Sequence, residues 1–348
     1  MTFLHRSAPS RHPRHRRILQ DRLALNRHGM TGDWTERAKW TEWMEWMGKM
    51  TTDMISAAAA GTWLLGDREI NRLGLGAMRL TGSAAFHEGV PSDRTQATAV
   101  LRRAVELGVN HIDTAAFYFS RLRSANELIN STLAPYPDDL VIATKVGPAR
   151  DASGEWTAPA RPDQLRGQVE ENLRQLGRDH LDVVNLRLMG QDSLSEHFGA
   201  LAELRAAGLV RHLGISNARP EHLAEALTIA PVVCVQNRFG LDAPHGTRML
   251  QECAARGIAF VPFFSLAGEG REAGAVRAER DEVRAVARAH GASPAQVRLA
   301  WTLKQGTHVL AIPGTGNPDH LADNVAAGAL RLTEEDCRLL DAIGRAAP

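Results

Sequence analysis

Cysteine is scarce in this chain of 348 residues, which contains three: Cys234, Cys253 and Cys337. They lie far apart, and no two of them form a C-x-x-C pair. An odd number of widely spaced cysteines argues against a disulfide framework or a zinc site and suits a reducing compartment. We therefore expect a cytoplasmic protein that contains no structural metal.

Long hydrophobic runs are also absent. The longest, residues 54–66 (MISAAAAGTWLLG), is shorter than the roughly 20 residues that span a bilayer, and it lies too far along the chain for a signal peptide. Lys and Arg number 41 against 40 Asp and Glu, so the net charge is +1 and the whole chain does not have the composition of a polyanion binder. We expect neither a membrane nor a nucleic acid as partner.

The first 50 residues differ in composition from the rest. Residues 1–28 contain seven Arg, four His and one Asp, a charge of +6, so the remaining chain carries −5. The spacing of Trp40, Trp43, Met44 and Met47 predicts a short amphipathic helix, which would suit a membrane-surface or partner-binding arm. We favour the alternative of a poorly ordered extension over residues 1–50, followed by a single domain over residues 51–348. The extension contains no recognised nucleic-acid module, which argues against a nucleic-acid-binding arm.

From about residue 60, short apolar runs alternate with longer amphipathic ones. Strict alternation of strands and helices predicts right-handed βαβ units and a parallel sheet. A doubly wound sheet is the competing fold, but no G-x-G-x-x-G follows the first run. We therefore predict an α/β fold, the (β/α)8 TIM barrel, with an N-terminal hairpin near residues 62–67 and an extra C-terminal helix over residues 333–345. The eight predicted strands are residues 73–78, 111–115, 140–147, 181–188, 210–217, 232–239, 259–266 and 308–314.

Four residues at the carboxyl ends of these strands are candidates for catalysis, because active sites of such barrels lie there. Asp113 ends the second strand, Tyr118 follows in its loop, Lys145 ends the third strand and Arg187 the fourth. The chain has only four lysines and two tyrosines, so composition alone gives little reason to expect a lysine and a tyrosine at these positions.

An Asp, a Tyr and a Lys at neighbouring strand ends predict a proton donor. A cation about 4 Å from a phenol would lower the phenol pKa by ~3 units as an upper estimate. We therefore expect Lys145 to bring the pKa of Tyr118 towards neutrality and Asp113 to keep Lys145 protonated. Such an acid is suited to protonating an oxygen that gains negative charge, as happens when hydride is transferred to a carbonyl.

The segments IDTAAFY, VIATKVG, LGISN, VQN and AIPGTGNPDHLADNVAA occur in this order within residues 62–345 and together resemble the aldo-keto reductase superfamily. The resemblance implies NADPH, with NADH as the alternative, bound across the strand ends of the barrel. It also implies reduction of a small aldehyde or ketone to the alcohol, with Tyr118 as proton donor tuned by Lys145 and Asp113. The implied cofactor-binding residues are Gly76, Ala77, Met78, Ser216, Asn217, Gln236, Phe263, Gly314, Thr315, His320, Asp323 and Asn324.

Three positions depart from the superfamily pattern. Arg187 stands where most members have a histidine that contacts the substrate carbonyl. It could orient the carbonyl, stabilise the developing oxyanion or pair with an anionic substrate, or it could mark a non-catalytic nucleotide-binding sensor. Gly314 and His320 replace the Lys and Arg of the 2′-phosphate loop, so the implied preference for NADPH over NADH is weaker. The segments GVNHIDTAAFY and LDVVNLRLMG are most similar to the bacterial pyridoxal reductase branch, which implies pyridoxal as substrate and pyridoxine as product.

Overall fold

The computed structural model describes residues 55–82, 92–151, 153–242, 246–266 and 279–345. The predicted N-terminal extension over residues 1–50 lies outside them, so that prediction stays untested. None of the helices in the described ranges is both long enough and apolar enough to cross a membrane.

A parallel sheet of seven strands forms the centre of the fold, as the alternating pattern predicts. Its strands follow chain order, and each pairs in parallel with the next. They are β3 (Leu75–Gly76), β4 (His111–Asp113), β5 (Val141–Val146), β6 (Leu181–Arg187), β7 (Val210–Ser216), β8 (Val232–Arg238) and β9 (Ala259–Phe263). The helices are α1 (Arg94–Glu106), α2 (Ala125–Leu133), α3 (Leu165–Leu176), α4 (Ser195–Ala206), α5 (Pro220–Leu227), α6 (Thr247–Arg256), α7 (Asp281–His290), α8 (Pro294–Lys304), α9 (Pro318–Ala326) and α10 (Glu334–Arg345).

The eighth predicted strand, residues 308–314, contacts both edges of this sheet through isolated bridges. Val309 pairs with Phe260 at one edge, while Ala311 and Gly314 pair with residues of the β3 region at the other. Neither contact extends into a ladder, because Pro262 on β9 and Pro313 in the segment lack the N–H group that the next hydrogen bond would require.

The predicted hairpin comprises β1 (Thr62–Leu65) and β2 (Arg68–Asn71), which pair antiparallel. Leu65 and Ile70 point from it into an apolar cluster formed by residues of β5, β6, β8 and β9 and of the segment 308–314: Val141, Ala143, Val183, Cys234, Ala259, Val261 and Leu310. A second, larger cluster fills the space between the strands and the helices. Burial on both faces explains why the strands read as continuous apolar runs.

The C-terminal helix α10 begins one residue after the predicted start. Thr333 accepts a hydrogen bond from the Asp336 amide on its Oγ1 (3.1 Å), and the Asp336 carboxylate accepts one from the Thr333 amide (2.8 Å). This reciprocal arrangement satisfies amide groups that the first turn leaves without an intrahelical partner. The extra C-terminal helix is therefore confirmed.

Strand register brings the candidate catalytic residues to one end of the sheet. Arg187 lies opposite Ser216, which in turn lies opposite Gln236, at the carboxyl ends of β6, β7 and β8. Gly147 follows β5 with φ of 115°, and a Cβ atom there would lie 2.6 Å from the Arg187 carbonyl oxygen. A glycine is thus needed where β5 leaves the sheet beside β6.

Candidate active site

A buried ion pair between Lys145 and Asp113 lies at the carboxyl ends of β5 and β4. The Lys145 Nζ atom is 2.6 Å from Asp113 Oδ2 and 2.8 Å from Oδ1, and it also donates to the Thr114 carbonyl oxygen at 3.0 Å. Gln236 on β8 donates its Nε2–H to Asp113 Oδ1 at 2.8 Å. Burial alone would lower the pKa of Lys145, but Asp113 and Tyr118 together raise it above its ordinary value. Lys145 therefore remains a cation.

The half-buried ring of Tyr118 lies beside the Lys145–Asp113 pair. The Lys145 Nζ atom is 4.8 Å from the centroid of the Tyr118 ring, and Phe117 packs edge-on against that ring at 5.2 Å. Burial raises the pKa of Tyr118 above its ordinary value, whereas Lys145 lowers the pKa and Asp113 raises it. The sequence-based expectation of a lowered pKa was therefore wrong. It considered the cation but neither the burial of the phenol nor the neutralising carboxylate beside it.

Arg187 lies at the end of β6, where it contacts two of the predicted cofactor-binding residues. Its Nη1–H donates to Ser216 Oγ at 3.4 Å, and its Cζ atom is 5.3 Å from the centroid of the Phe263 ring. Arg187 also lowers the pKa of Tyr118, although burial outweighs this effect. The structure thus brings Arg187, Ser216 and Phe263 together and places the charge of Arg187 within electrostatic reach of Tyr118.

Gln236 binds the ion pair through its side-chain amide, and the backbone amide of Asn217 donates to the Gln236 backbone carbonyl oxygen at 3.0 Å. Gln236 is buried, and its Oε1 atom has no hydrogen-bond partner among the described residues, while its Nε2 atom is bound to Asp113. Asn217 adopts φ of 57°, and it donates its Nδ2–H to the Leu188 carbonyl oxygen at 3.0 Å. A buried carbonyl oxygen without a donor favours a ligand that supplies an N–H group. A carboxamide, such as that of nicotinamide, has this chemistry.

Gly76 lies between two groups of candidate residues. It pairs with Asp113 on one side and with Gly314 on the other, so the strand end that contains Asp113 and the segment before α9 lie on either side of it. Ala77 and Met78 follow directly and open a 3-10 helix over Ala77–Leu80.

The remaining predicted residues lie around the start of α9. Asn317 caps this helix by accepting the Asp319 amide at 2.8 Å, and His320 is exposed in its first turn. Asp323 accepts the Ser293 hydroxyl at 2.6 Å, which engages one of its carboxylate oxygens within the protein, and Asn324 is buried. The amide groups at a helix start favour an anion. Thr315 accepts the Asn317 amide at 3.0 Å and shapes the turn that leads into this helix start.

Several residues at the site carried no recognisable sequence signal. The Thr114 carbonyl that binds Lys145 is a backbone group, and His111, two residues before Asp113, is buried with its pKa lowered to about 4 by that burial. On the opposite face of the strands, Thr114 donates to Asn126 at 2.7 Å and Thr144 donates to Asn172 at 2.6 Å. The only cue in the sequence is that each of the two charged residues has a threonine as neighbour: Thr114 follows Asp113, and Thr144 precedes Lys145.

Comparison with known proteins identifies the family of this chain. Residues 72–345 match the Aldo/keto reductase family. The pyridoxine 4-dehydrogenase of Escherichia coli (strain K12) is 43% identical over 294 residues, which cover 82% of this chain and 99% of that protein. An uncharacterized oxidoreductase of Schizosaccharomyces pombe is 36% identical, with 84% of this chain and 92% of that protein covered. The structure of an aldo-keto reductase from Klebsiella pneumoniae in complex with NADPH superposes with a TM-score of 0.66 at 27% identity, covering 81% of this chain and 94% of that one.

The fold and the site together describe an α/β protein in which a buried lysine–aspartate pair lies beside a tyrosine ring at the carboxyl ends of parallel strands. The chain belongs to the aldo/keto reductase family, and it is an oxidoreductase. The family identification from sequence motifs is thereby confirmed, and the similarity to a pyridoxine 4-dehydrogenase agrees with the branch that the motifs indicate.

Proposed function

We propose that the protein reduces an aldehyde or ketone to the corresponding alcohol with NADPH, on a sheet closed as a (β/α)8 barrel. The observation that carries the proposal is the buried Lys145–Asp113 pair beside the Tyr118 ring. Closure of the barrel is supported by residues 308–314, which bridge to both edges of the seven-stranded sheet.

The residues around Gln236 fit the nicotinamide end of the cofactor. The unsatisfied Gln236 Oε1 would accept the carboxamide N–H, with Ser216 and Asn217 beside it and Phe263 as the aromatic neighbour of the ring. Gly314, Thr315, His320, Asp323 and Asn324, with Gly76, Ala77 and Met78, would hold the adenosine end near the start of α9. The NADPH complex of the K. pneumoniae relative supports NADPH, and His320 in place of an arginine leaves NADH as the alternative. When bound, the cofactor supplies the hydride.

Tyr118 is the proposed proton donor. Because burial raises its pKa, the phenol is protonated at neutral pH and can donate a hydrogen bond to a carbonyl oxygen. As that oxygen gains negative charge it takes the Tyr118 proton, and the Lys145 cation then stabilises the phenolate. Asp113 holds Lys145 in place and keeps it charged.

Arg187 supplies a second cation. Its contacts with Ser216 and Phe263 hold the guanidinium near the position of the reacting carbonyl, where it would stabilise the oxyanion or bind an anionic group of the substrate. We propose pyridoxal as the substrate. The E. coli relative is a pyridoxine 4-dehydrogenase, and the acidic phenol of pyridoxal beside its aldehyde would suit Arg187. The alternative of a non-catalytic sensor receives no support from the similar proteins.

We also propose that residues 51–348 form the single catalytic domain of a cytoplasmic enzyme. The match to the E. coli relative covers 99% of that protein with 82% of this chain, and the family match starts at residue 72. Cys234, Cys253 and Cys337 are free, which suits a reducing compartment. Residues 1–50 would then be an extension that catalysis does not require.

The test compares the two tyrosines of the chain. Oxidation of NADPH and NADH is followed with pyridoxal, 4-nitrobenzaldehyde, methylglyoxal and simple ketones. Tyr118→Phe should lower turnover by about 10²- to 10⁴-fold without weakening NADPH binding, since only the transferable proton is lost. Tyr136→Phe is the matched control, because the Tyr136 hydroxyl donates a hydrogen bond to the Leu176 carbonyl oxygen at 2.6 Å. Near-normal turnover by Tyr118→Phe would refute the assignment of the proton donor.

A further inference from the structure

The backbone on either side of Tyr118 is held by an arginine from another loop. Arg150, in the loop that follows β5, donates from Nη1 to the carbonyl oxygens of Phe117 at 3.2 Å and Phe119 at 3.0 Å. The carbonyl of Tyr118 itself accepts the Ala125 amide at 2.9 Å. All three consecutive carbonyl groups around the proposed proton donor are therefore engaged.

The side chain of Arg150 is held along its length. Its Nε–H donates to the Gly154 carbonyl oxygen at 2.7 Å, and its Cζ atom lies 4.4 Å from the centroid of the Phe119 ring. Arg150 and Trp156 pair as an antiparallel bridge, and the Trp156 ring packs against Phe117 at 5.7 Å. The bridged residues Arg150 and Trp156 thus both contact the Phe117–Tyr118–Phe119 segment.

We infer that Arg150 is a positioning residue, which sets the place and orientation of the Tyr118 phenol by clamping the two peptide carbonyls that flank it. The inference rests on the proposed role of Tyr118 as proton donor. Tyr118 lies in a loop and not on a strand, so β4 alone does not fix its side chain. Proton transfer requires the hydroxyl within hydrogen-bond reach of the substrate oxygen, so a displaced loop would reduce turnover.

An arginine suits this role better than a lysine. The guanidinium is planar and has several N–H groups, so one side chain can bind both flanking carbonyls and the Gly154 carbonyl while stacking on Phe119. A lysine ammonium is a single point and would reach fewer of these partners. Arg150→Lys should therefore retain part of the positioning, and it serves as the conservative variant.

The experiment reads the position of Tyr118 directly and through catalysis. Because the chain has two tyrosines, fluorotyrosine labelling gives two fluorine NMR signals, and Tyr136→Phe assigns them. Arg150→Ala should shift or broaden the Tyr118 signal and leave that of Tyr136 in place. It should lower kcat by about 10- to 100-fold and leave NADPH affinity unchanged, with Arg150→Lys in between. Added guanidinium ion, below denaturing concentration, should restore part of the kcat of Arg150→Ala.

Arg205→Ala is the matched control. Arg205 lies on α4 and also donates to a backbone carbonyl, that of Arg211 at 3.1 Å, so its loss should leave both fluorine signals and kcat unchanged and show no guanidinium rescue. An unmoved Tyr118 signal together with unchanged kcat in Arg150→Ala would overturn the inference. If the wild-type protein reduces no carbonyl, the proposed function fails, whereas the fluorine signals still decide whether Arg150 positions Tyr118. If Arg150→Ala does not fold, an unmoved signal in Arg150→Lys would likewise overturn the inference.

Discussion

Lys145→Met removes the cation from the centre of the site and leaves Asp113 buried without its counter-charge. The two side chains are only 3% and 5% exposed in the wild type, and they are joined by contacts of 2.6 and 2.8 Å. Methionine is of similar length and apolar, so the cavity is filled while the charge is lost. Of the contacts around the Asp113 carboxylate described above, the hydrogen bond from Gln236 would remain.

The expected loss in the free energy of unfolding is about 3–5 kcal/mol, the usual cost of breaking a buried ion pair on one side. Most of this loss comes from the uncompensated carboxylate and little from the missing attraction. Lys145→Met/Asp113→Leu should therefore be more stable than Lys145→Met alone, because it removes the stranded charge. Both variants should lose carbonyl reduction, since the phenolate of Tyr118 has no cation to stabilise it.

The loss in the free energy of unfolding depends on pH, and the Lys145–Asp113 ion pair determines the direction of that dependence. In the wild type the pKa of Lys145 is raised on folding, so its stabilisation is fully present below the unfolded value of about 10.4 and is lost as pH rises through the folded pKa. It is therefore constant across neutral pH. In Lys145→Met the stranded carboxylate is relieved when it takes up a proton, so the deficit should be smaller near about pH 5 than near about pH 8.

Urea unfolding followed by tryptophan fluorescence at these two pH values measures the deficit. The control is Lys304→Met, because Lys304 is exposed and donates to the Leu332 carbonyl at 3.1 Å, which predicts a loss of at most about 1.5 kcal/mol. A Lys145→Met variant within about 1 kcal/mol of the wild type, or one with the same deficit at both pH values, would refute this account of the pair.

Two further predictions concern Arg187 and the N-terminal extension. Arg187→His should lower turnover of pyridoxal by about 10- to 100-fold near pH 8 and recover part of it below about pH 6.5, where an ordinary histidine becomes a cation. A pH profile parallel to that of the wild type, or enhanced activity, would contradict a role for the guanidinium charge. Deletion of residues 1–49 should leave NADPH affinity and turnover unchanged, and a large loss of either would show that the extension takes part in the site.

Much of the site could be predicted because strand ends follow from local pattern. Alternation of apolar runs and helices predicts a parallel sheet, and the carboxyl ends of parallel strands meet at one edge. Asp113, Lys145, Arg187 and Ser216 could therefore be grouped before their separations were known, and strand register brings them together. The motif resemblance added the residues near α9, whose contacts with a cofactor remain predictions.

Other features depend on which distant groups meet in three dimensions. Gln236 donates to Asp113 across 123 positions of the chain, and Arg150 binds carbonyls on either side of Tyr118 from a loop more than thirty residues away. One arginine among many, or one backbone carbonyl, has no distinguishing pattern in a sequence. Pro262 and Pro313 are visible in the sequence. Their effect on strand pairing depends on residues 308–314 lying between β9 and the β3 region, which the sequence does not show.

The order of strands and helices, the family and the chemical type of side chain at each strand end could all be predicted, because they depend on residue identity and short-range periodicity. Three features became visible only in the folded chain: the raised pKa of Tyr118, the Gln236 Oε1 atom that has no donor among the described residues, and the contacts of Arg150 around Tyr118. The physical reason is that burial and electrostatic balance are sums over neighbours brought together by folding. A lysine beside a tyrosine lowers the phenol pKa by itself, yet the surrounding apolar groups and one buried carboxylate reverse the outcome.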